Sequence, residues 1–265
     1  SLVIGIAIGA TIVIAQYFGA KDMKKVTRAI DTLMVFTLVA SVVVTIIGIL
    51  LSKPIFRLTD LPDDVLPLAV TYFNIYMLGS IFAFGFNSIS AILRGMGDSK
   101  TPLYFLIIST LLNIGLDFLF VLGFHWGVAG VAWATVISQA VALLFAIIYL
   151  NRTHEIFKIR WRKPEYDRAI MRRSLKIGFP VGFQQAFVAL SMLAMYWLVN
   201  RFGTNVTAAF SVAFRIDSFA SMPAMNFAMA LASFVGQNLG ANKPERVKKG
   251  FMSTLSMTAV FSVAT

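Results

Sequence analysis

Long runs of apolar residues, separated by short polar segments, cover most of this 265-residue chain. Most runs reach about 20 residues, the length that a helix needs to cross the hydrocarbon core of a bilayer. A transmembrane β-strand would instead show about 10 residues of alternating polarity, and the runs show no such alternation. The predicted spanning helices are a short one at 1–19, six near 28–52, 66–93, 101–124, 127–150, 174–200 and 205–240, and one that begins near 250.

Turn signals fall between these runs. Lys53-Pro54, residues 61–64 and residues 97–100 are expected to interrupt the helices, because proline, glycine and aspartate favour turns. Pro102 lies one residue after Thr101, just beyond the third of these segments. Proline is tolerated in the first turn of a helix, so its position agrees with a helix that begins near residue 101.

The composition supports a membrane protein. Hydrophobic residues make up 58% of the chain, charged residues 13%, and the mean hydropathy is +0.80. A soluble domain is nearer half apolar and one quarter charged, so this excess requires lipid as the solvent. The chain has no cysteine, which excludes disulfides and thiolate metal sites.

The net charge of +11 lies in the polar gaps rather than along one basic face. This placement argues against a nucleic-acid partner and is typical of loops beside a membrane. Three basic residues, Lys53, Arg57 and Arg201, fall on one side of the predicted membrane, whereas nineteen fall on the other. The nineteen are Lys21, Lys24, Lys25, Arg28, Arg94, Lys100, nine between Arg152 and Lys176, Lys243, Arg246, Lys248 and Lys249. We therefore predict a multi-pass protein of the inner (cytoplasmic) membrane with its basic loops in the cytoplasm.

A parallel internal repeat is predicted at an offset of 221 residues. Gln16 corresponds to Gln237 and Gly19 to Gly240, and Ala20, Ala241, Val26 and Val247 follow the same spacing. Repeats related by an axis along the membrane normal occur in transporters, although Gly-Ala before lysine is also a common helix stop. The resulting division is an N-terminal lobe at 1–150, a basic cytoplasmic linker at 151–173 beside anionic lipid headgroups, and the start of a C-terminal lobe at 174–265. A regulatory or nucleic-acid site is the alternative for the linker.

Several segments together resemble the MATE (multidrug and toxic compound extrusion) family, close to its DinF-like branch. They are Gln16 to Arg28, Ile92 to Pro102, Leu112 to Asp117, Gly127 to Thr135, and Gly236 to Ala241. The resemblance implies an all-α polytopic protein with two six-helix lobes related by a pseudo-twofold axis around a central cleft. This chain would cover about helices 2 to 9, with one span before residue 1 and about four after residue 265. The implied activity is antiport of cationic or amphipathic drugs against Na⁺ or H⁺ by a monomer that needs no cofactor.

Polar residues within the predicted spans mark a candidate cation site. Asp117 has no basic residue within its span, and Asn113 lies four residues earlier on the same helical face. Counting about 1.5 Å per residue, Asp117, Thr135 and Tyr72 lie about 9 to 12 Å below the outer helix ends, and Asn113 about 16 Å. The resemblance assigns cation binding to Asn113, Asp117 and Thr135, together with an aspartate on the missing first helix.

The ion and the roles of these residues stay open at this point. Oxygen ligands suit a hard cation such as Na⁺, whereas a carboxylate alone suits a proton. Asp117 has a structural alternative as a hydrogen-bonding residue between helices. For Tyr72 and Thr135 taken alone the structural interpretation is favoured, because threonine often bonds its own backbone.

Candidate substrate contacts lie on the two spans after the linker. Gln184, Met192, Arg215 and Met225 combine polar groups with methionine side chains, which repack easily around varied ligands. For each methionine taken alone, contact with lipid is the favoured interpretation. Another branch of the family carries a glutamate where this chain has Val188, so coupling through that position is not expected.

Other functions fit less well. A lipid-linked oligosaccharide flippase, the alternative within the same transporter group, would be expected to place several cations in the cleft, where only Arg215 is available. An enzyme is not predicted, because both histidines lie outside the spans and the HExxH and GxSxG patterns are absent from the sequence. A passive channel would leave the buried Asp117 without a coupling role.

Overall fold

A computed structural model describes residues 2–58, 65–153 and 164–264. These ranges are helical throughout apart from short connections, which confirms the all-α prediction. The helices are α1 (Leu2–Gly19), α2 (Met23–Leu58), α3 (Leu66–Leu78), α4 (Ser80–Gly95), α5 (Lys100–Phe118), α6 (Gly127–Thr153), α7 (Arg168–Asn200), α8 (Thr204–Gly240) and α9 (Pro244–Ala264), and a π-helical segment, Leu119–Gly123, follows α5.

Within residues 2–58, 65–153 and 164–264, five helices are long and apolar enough to cross a membrane, or six spans are present if a bent pair of helices counts as one. Their spanning parts are Met23–Arg57, Lys100–Gly123, Gly127–Thr153, Arg168–Asn200 and Asn205–Gly240. The predicted span at 66–93 is instead a pair of helices, α3 and α4, bent by 46°. The bend lies at Gly79, where an added Cβ would overlap the side chain of Val136 on α6. Close approach of α6 therefore explains the glycine at this break.

Two predicted helix limits were wrong. Lys53-Pro54 does not end α2, which continues to Leu58 with Pro54 inside it. Proline removes one hydrogen-bond donor, and near a helix end this loss is small enough for the flanking turns to continue. The helix predicted to begin at 174 begins at Arg168, within the predicted linker. The turn predicted at 61–64 lies outside the described residues.

The described helices form two compact units that do not follow the sequence order. One contains α1, the end of α4 at Arg94–Gly97, and α7 to α9; the other contains α2, most of α4, α3, α5 and α6. The predicted division at 1–150, 151–173 and 174–265 groups α1 with α2 to α6 instead. The lobe assignment therefore stays a prediction.

In the first unit, α1 packs against both α7 and α8. Glycines allow direct backbone contact between α1 and α7. Gly5 faces Gly182, and Gly9 faces Gly178 and the carbonyl oxygen of Ser174. Small residues at such crossings let membrane helices approach until their backbones touch, which is a principal source of packing energy in lipid.

The ends of α1 and α8 have the same cap at the offset of 221 residues. Lys21 and Asn242 both have φ +57, and each amide bonds a carbonyl three residues back, at 3.0 and 3.1 Å. The next amides, of Asp22 and Lys243, reach five residues back. This pattern is the Schellman motif, in which a left-handed residue ends the helix. The repeat seen in the sequence therefore extends to the local backbone geometry.

The two repeat segments also contact each other. An added Cβ at Gly19 would overlap the carbonyl oxygen of Gln237, and an added Cβ at Gly240 would overlap that of Gln16. Because Gln16 and Gly19 correspond to Gln237 and Gly240, the contact is reciprocal, as expected across a local twofold axis. α1 and α8 thus cross with their backbones in contact at the capped ends.

The second unit is held by hydroxyl pairs as well as by apolar packing. Thr37 on α2 shares a hydrogen bond of 2.6 Å with Ser88 on α4. Thr45 on α2 shares one of 2.8 Å with Ser80 at the start of α4. α6 packs against both α3 and α5, so it is the central helix for the candidate cation site.

The end of the predicted linker contacts the start of α2 in the same unit. The Arg28 guanidinium and the Glu165 carboxylate are 3.0 Å apart, and the Glu165 amide donates to Asp31 at 3.1 Å. These contacts fix residues 164–167 ahead of α7. The rest of the predicted lipid-facing or regulatory stretch, residues 154–163, lies outside the described residues.

Candidate cation site

The alignment of α5 and α6 places two predicted site residues, Asn113 and Thr135, at nearly the same height along the two helices. Ser109 on α5 donates a 3.0 Å hydrogen bond to the carbonyl oxygen of Ser138 on α6. The two helices run in opposite directions because a short corner joins them. Asn113 lies one turn from Ser109 toward that corner, and Thr135 lies nearly one turn from Ser138 in the same direction. The two residues therefore occupy neighbouring levels, and Asp117 lies one turn closer to the corner.

Asn113 and Asp117 each have a buried polar atom without a hydrogen-bond partner among the described residues. These atoms are Asn113 Nδ2 and Asp117 Oδ1. The residues are four apart on one helical face. An unsatisfied buried donor or acceptor costs about 1–3 kcal/mol, and more when the group is charged. A proton, a cation or water at Asp117 would remove this cost, so the pair has the chemistry of a cation site.

The structure does not bring Thr135 and Tyr72 into direct hydrogen bonds with Asp117. The Thr135 hydroxyl donates to the carbonyl oxygen of Val131 at 3.1 Å, within its own helix. Its oxygen keeps lone pairs that can accept a bond or coordinate a cation. The Tyr72 ring stacks on Tyr76 with centroids 6.3 Å apart. Thr135 thus remains a candidate oxygen ligand by register, and Tyr72 packs against a neighbour on α3.

The corner beyond Asp117 is a π-helical segment with an aromatic cluster. The amide of Phe124 bonds the carbonyl oxygen of Leu119 at 3.0 Å, five residues back. Phe120 stacks on Phe124 and on Trp126, with centroids 5.9 and 5.0 Å apart. An added Cβ at Gly130 would lie 3.0 Å from the Phe120 Cβ, so α6 fits closely under this cluster. π-helical turns occur frequently at functional sites, and this one fixes the end of the helix that carries Asp117.

Three further buried polar atoms of the same unit lack partners among the described residues, and none of them belongs to a predicted site residue. They are Asn74 Oδ1, Ser90 Oγ and Gln139 Oε1. Gln139 lies one turn after Thr135 on the same face of α6. Asn74 is two residues after Tyr72 and so lies on a different face of α3. A scan for every amide within an apolar run would have found Asn74 and Gln139, because such residues are costly in lipid unless they are used.

The predicted substrate residues lie in the first unit, on α7 and α8. Gln184, Arg215 and Met225 are exposed, whereas Met192 is half-buried. No hydrogen bond or ion pair joins these four within 2–58, 65–153 and 164–264. The structure therefore does not assemble them into one polar site, and their role in substrate binding stays a prediction.

Asp98 anchors the start of α5, the helix that carries Asn113 and Asp117. Its Oδ1 accepts the Thr101 amide at 3.0 Å, and its Oδ2 accepts the Tyr149 hydroxyl at 3.3 Å. Partial burial by itself raises the pKa of Asp98. The hydrogen bonds from Thr101, followed by those from Tyr149 and the Lys100 amide, outweigh burial and hold the pKa below its ordinary value of 3.8.

We expect Asp98→Asn to destabilise the full-length protein by about 1 kcal/mol at pH 7, because asparagine offers the Thr101 amide only a neutral acceptor and hydrogen bonds to a charged acceptor are stronger. A carboxylate whose pKa is lowered by folding stabilises the protein above its unfolded pKa, and this contribution is lost as the pH falls through the folded pKa. The difference between wild type and variant should therefore shrink below about pH 4. Thermal unfolding in detergent at pH 7, 5 and 3 measures it. A difference that stays constant down to pH 3 would contradict this role of the charge.

Comparisons with a family model and with related proteins agree on one family. The MatE family model matches residues 1–119 and 180–265. A relative from Bacillus subtilis strain 168, "Probable multidrug resistance protein YoeA", is 35% identical over 256 residues, covering 94% of this chain and 55% of that protein. "Multidrug export protein MepA" of Staphylococcus aureus strain NCTC 8325 / PS 47 is 23% identical over 265 residues, covering 97% of this chain and 58% of MepA.

Solved structures show the same fold. A crystal structure described as "MATE in the bent conformation" superposes with a TM-score of 0.93 at 25% identity, over 99% of this chain and 59% of that one. A "MOP superfamily transporter from Pyrococcus furiosus" gives a TM-score of 0.92, also at 25% identity and the same coverage. The chain therefore spans between half and three fifths of the length of these relatives. The family model, the fold and the motifs agree, and the chain belongs to the MatE family of membrane transporters.

Proposed function

We propose that this chain is part of a secondary active antiporter that exports cationic or amphipathic compounds in exchange for Na⁺ or H⁺. The observation that carries the proposal is the pair of buried, unsatisfied atoms Asn113 Nδ2 and Asp117 Oδ1 on a spanning helix. Intramembrane carboxylates are rare and commonly mark ion pathways. The names of the relatives, multidrug resistance and multidrug export proteins, support the class of substrate.

Asp117 supplies the coupling chemistry in this proposal. A protonated Asp117 is neutral and its burial is tolerated, whereas the ionised form requires a cation, water or hydrogen-bond donors. With Na⁺ as the co-substrate, the Asn113 carbonyl oxygen and the Thr135 hydroxyl oxygen are suitable further ligands. Occupancy of the site then changes which packing of α5 and α6 has the lower free energy. Such a change is what alternating access requires of an ion site.

The substrate path in this proposal runs beside α7 and α8. Gln184, Arg215 and the flexible side chains of Met192 and Met225 would contact organic cations of varied shape. The protein would act as a monomer in the cytoplasmic membrane, with the basic ends of α1, α6 and α8 in the cytoplasm. Membership of the MatE family agrees with a transporter rather than an enzyme.

Transport by the full-length protein in proteoliposomes tests the proposal. A fluorescent organic cation such as ethidium is loaded on one side, and a Na⁺ gradient or a pH gradient is then imposed separately. We expect at least one of the two gradients to drive movement of the dye against its own gradient. If neither gradient drives it, and a labelled lipid-linked oligosaccharide crosses the membrane instead, the antiporter proposal is overturned.

A further inference from the structure

Arg173 on α7 is held in a defined position by the end of α1. Its Nη2 donates to Gln16 Oε1 at 2.6 Å, and its Nη1 donates to the Tyr17 hydroxyl at 3.5 Å. The guanidinium carbon also lies 5.6 Å from the centroid of the Tyr17 ring, within the range of a cation–π contact. Arg173 is nevertheless exposed, and a guanidinium has five N–H donors. Donors that do not reach α1 are therefore available to a ligand.

Lys25 approaches the same aromatic ring. Its ammonium lies 5.7 Å from the centroid of Tyr17 and 2.9 Å from Asp22 Oδ2. The Lys25 backbone amide also donates to Asp22 Oδ1, at 3.1 Å. The hydrogen bond from the Lys25 side chain is the largest influence that lowers the pKa of Asp22, which therefore stays ionised. Asp22 orders Lys25 and balances one positive charge.

The group formed by Gln16, Tyr17, Asp22, Lys25 and Arg173, here called the Tyr17 clamp, has more positive charge than Asp22 can balance. Its guanidinium and ammonium groups contact one ring, and like charges this close repel. Further exposed cations flank the clamp, and none forms an ion pair within the described ranges: Lys21, Lys24, Arg172 and Lys176. An anion beside Arg173 and Lys25 would replace this repulsion with attraction. The clamp therefore has the charge and the fixed donors of an anion site.

The position of the clamp identifies the source of the anion. It lies at the end of the apolar helix α1, where the chain leaves the predicted membrane, and tyrosine is enriched at that level. Phospholipids of the cytoplasmic leaflet supply phosphate at the same depth. Guanidinium groups bind phosphate oxygens through two parallel hydrogen bonds. We propose that the Tyr17 clamp binds the phosphodiester headgroup of an anionic phospholipid.

This inference rests on the proposed membrane orientation and is independent of ion coupling at Asp117. It assigns a structural role to the bound lipid, because the headgroup would join α1, through Lys25 and Tyr17, to α7, through Arg173. Contact between α1 and α7 is already close at Gly5 and Gly9. A lipid bound at the other end of this helix pair would stabilise it further, so occupancy is measurable as thermal stability.

The experiment titrates the purified full-length protein in detergent with phosphatidylglycerol, phosphatidylcholine or inorganic phosphate, and follows the shift in Tm. We expect phosphatidylglycerol to stabilise the wild type, and the other two to do so much less. Arg173→Gln should weaken the apparent affinity for phosphatidylglycerol about tenfold, the usual consequence of losing hydrogen bonds to a charged group. Arg172→Gln removes the same charge from the neighbouring residue, which is exposed and outside the clamp, and should weaken it less than about twofold.

A second matched pair of variants keeps the test decisive if one variant of the first pair fails to fold. Lys25→Gln should weaken the lipid effect more than Lys24→Gln does, although both remove one lysine from the same turn. Equal losses of phosphatidylglycerol affinity in the two variants of each pair would show diffuse electrostatic attraction to lipid and would overturn the proposed site. Equal stabilisation by inorganic phosphate and phosphatidylglycerol would show a soluble-anion site, and would overturn the assignment to lipid. Proteoliposome transport plays no part in the readout, so failure here is distinct from failure of the antiporter proposal.

Discussion

Asp117→Asn is expected to weaken ion-driven export strongly while the protein remains folded. Asparagine has nearly the same shape as aspartate, but it neither takes up a proton nor balances a cation. Interactions with a charged group contribute about 1.5–3 kcal/mol, so the cation affinity should fall by a factor of about 10 to 100. Coupled transport of the dye, measured at a fixed Na⁺ or pH gradient, should fall by a similar factor, at least about tenfold. Tm should be unchanged or higher, because asparagine is neutral, and an unsatisfied neutral group costs less to bury than the charged carboxylate whose Oδ1 lacks a partner.

Asp217→Asn is the matched control for this substitution. Asp217 lies on α8, is exposed, and forms no ion pair in the described residues. The same chemical change there should leave the dependence of transport on the driving ion at the wild-type level. Retained coupling in Asp117→Asn, or an equal loss in both variants, would remove Asp117 from the mechanism. The family assignment would not be affected, since it rests on the motifs and the fold.

The membrane helices were predictable from the sequence because lipid imposes one dominant requirement. A spanning segment must be apolar for about 20 residues, and runs such as 127–150 satisfy it without reference to any neighbour. The helix limits that were predicted wrongly depend on tertiary contacts or on polar extensions of the helices. Gly79 lies in a continuous apolar run, and the close approach of Val136 on α6, which leaves room for glycine alone, is visible only in the structure. α7 begins six residues early because its first turns, although basic, continue the helix outside the apolar run.

The candidate site was predictable in part. Asp117 and Asn113 stand out because a carboxylate and an amide share one face of an apolar helix, and the structure shows both with unsatisfied buried atoms. Depth counting placed Tyr72 near them as well, but depth alone does not fix the direction of a side chain. Gln139 was missed although it is an amide within an apolar run, which a scan for such residues finds. The structure adds that its side-chain oxygen is buried without a partner, on a helix that packs against α3 and α5.

The similarity between the two repeat segments is greater in the structure than in the sequence. Four matching positions at an offset of 221 residues indicated two similar helix ends, with a common helix stop as the alternative. The structure shows more than a common stop, because the two ends share a Schellman cap and also contact each other. That contact depends on residues distant in the chain, and no local pattern in either segment encodes it. It also makes Gly19 and Gly240 the positions where a single methyl group should have the largest effect on stability.

Gly240→Ala is therefore expected to destabilise the full-length protein by about 3 kcal/mol or more, at the upper end of the cost of overpacking. The added methyl group would overlap the carbonyl oxygen of Gln16, which is backbone and cannot rotate away. Gly19→Ala should cost a similar amount, because its methyl group meets the equivalent carbonyl of Gln237. Thermal unfolding in detergent, followed by loss of monodisperse protein, measures both effects.

Gly115→Ala is the control, since an added Cβ there has no neighbour within 4 Å. Alanine favours helix over glycine by up to about 1 kcal/mol, so this variant should be neutral or more stable. The double variant Gly19→Ala with Gly240→Ala gives the sharper result. If one methyl group already forces α1 and α8 apart, the second adds little further cost. The loss of stability in the double variant should then be clearly smaller than the sum of the losses in the two single variants. Full additivity would show that the two glycines act at separate contacts, which would contradict the reciprocal crossing.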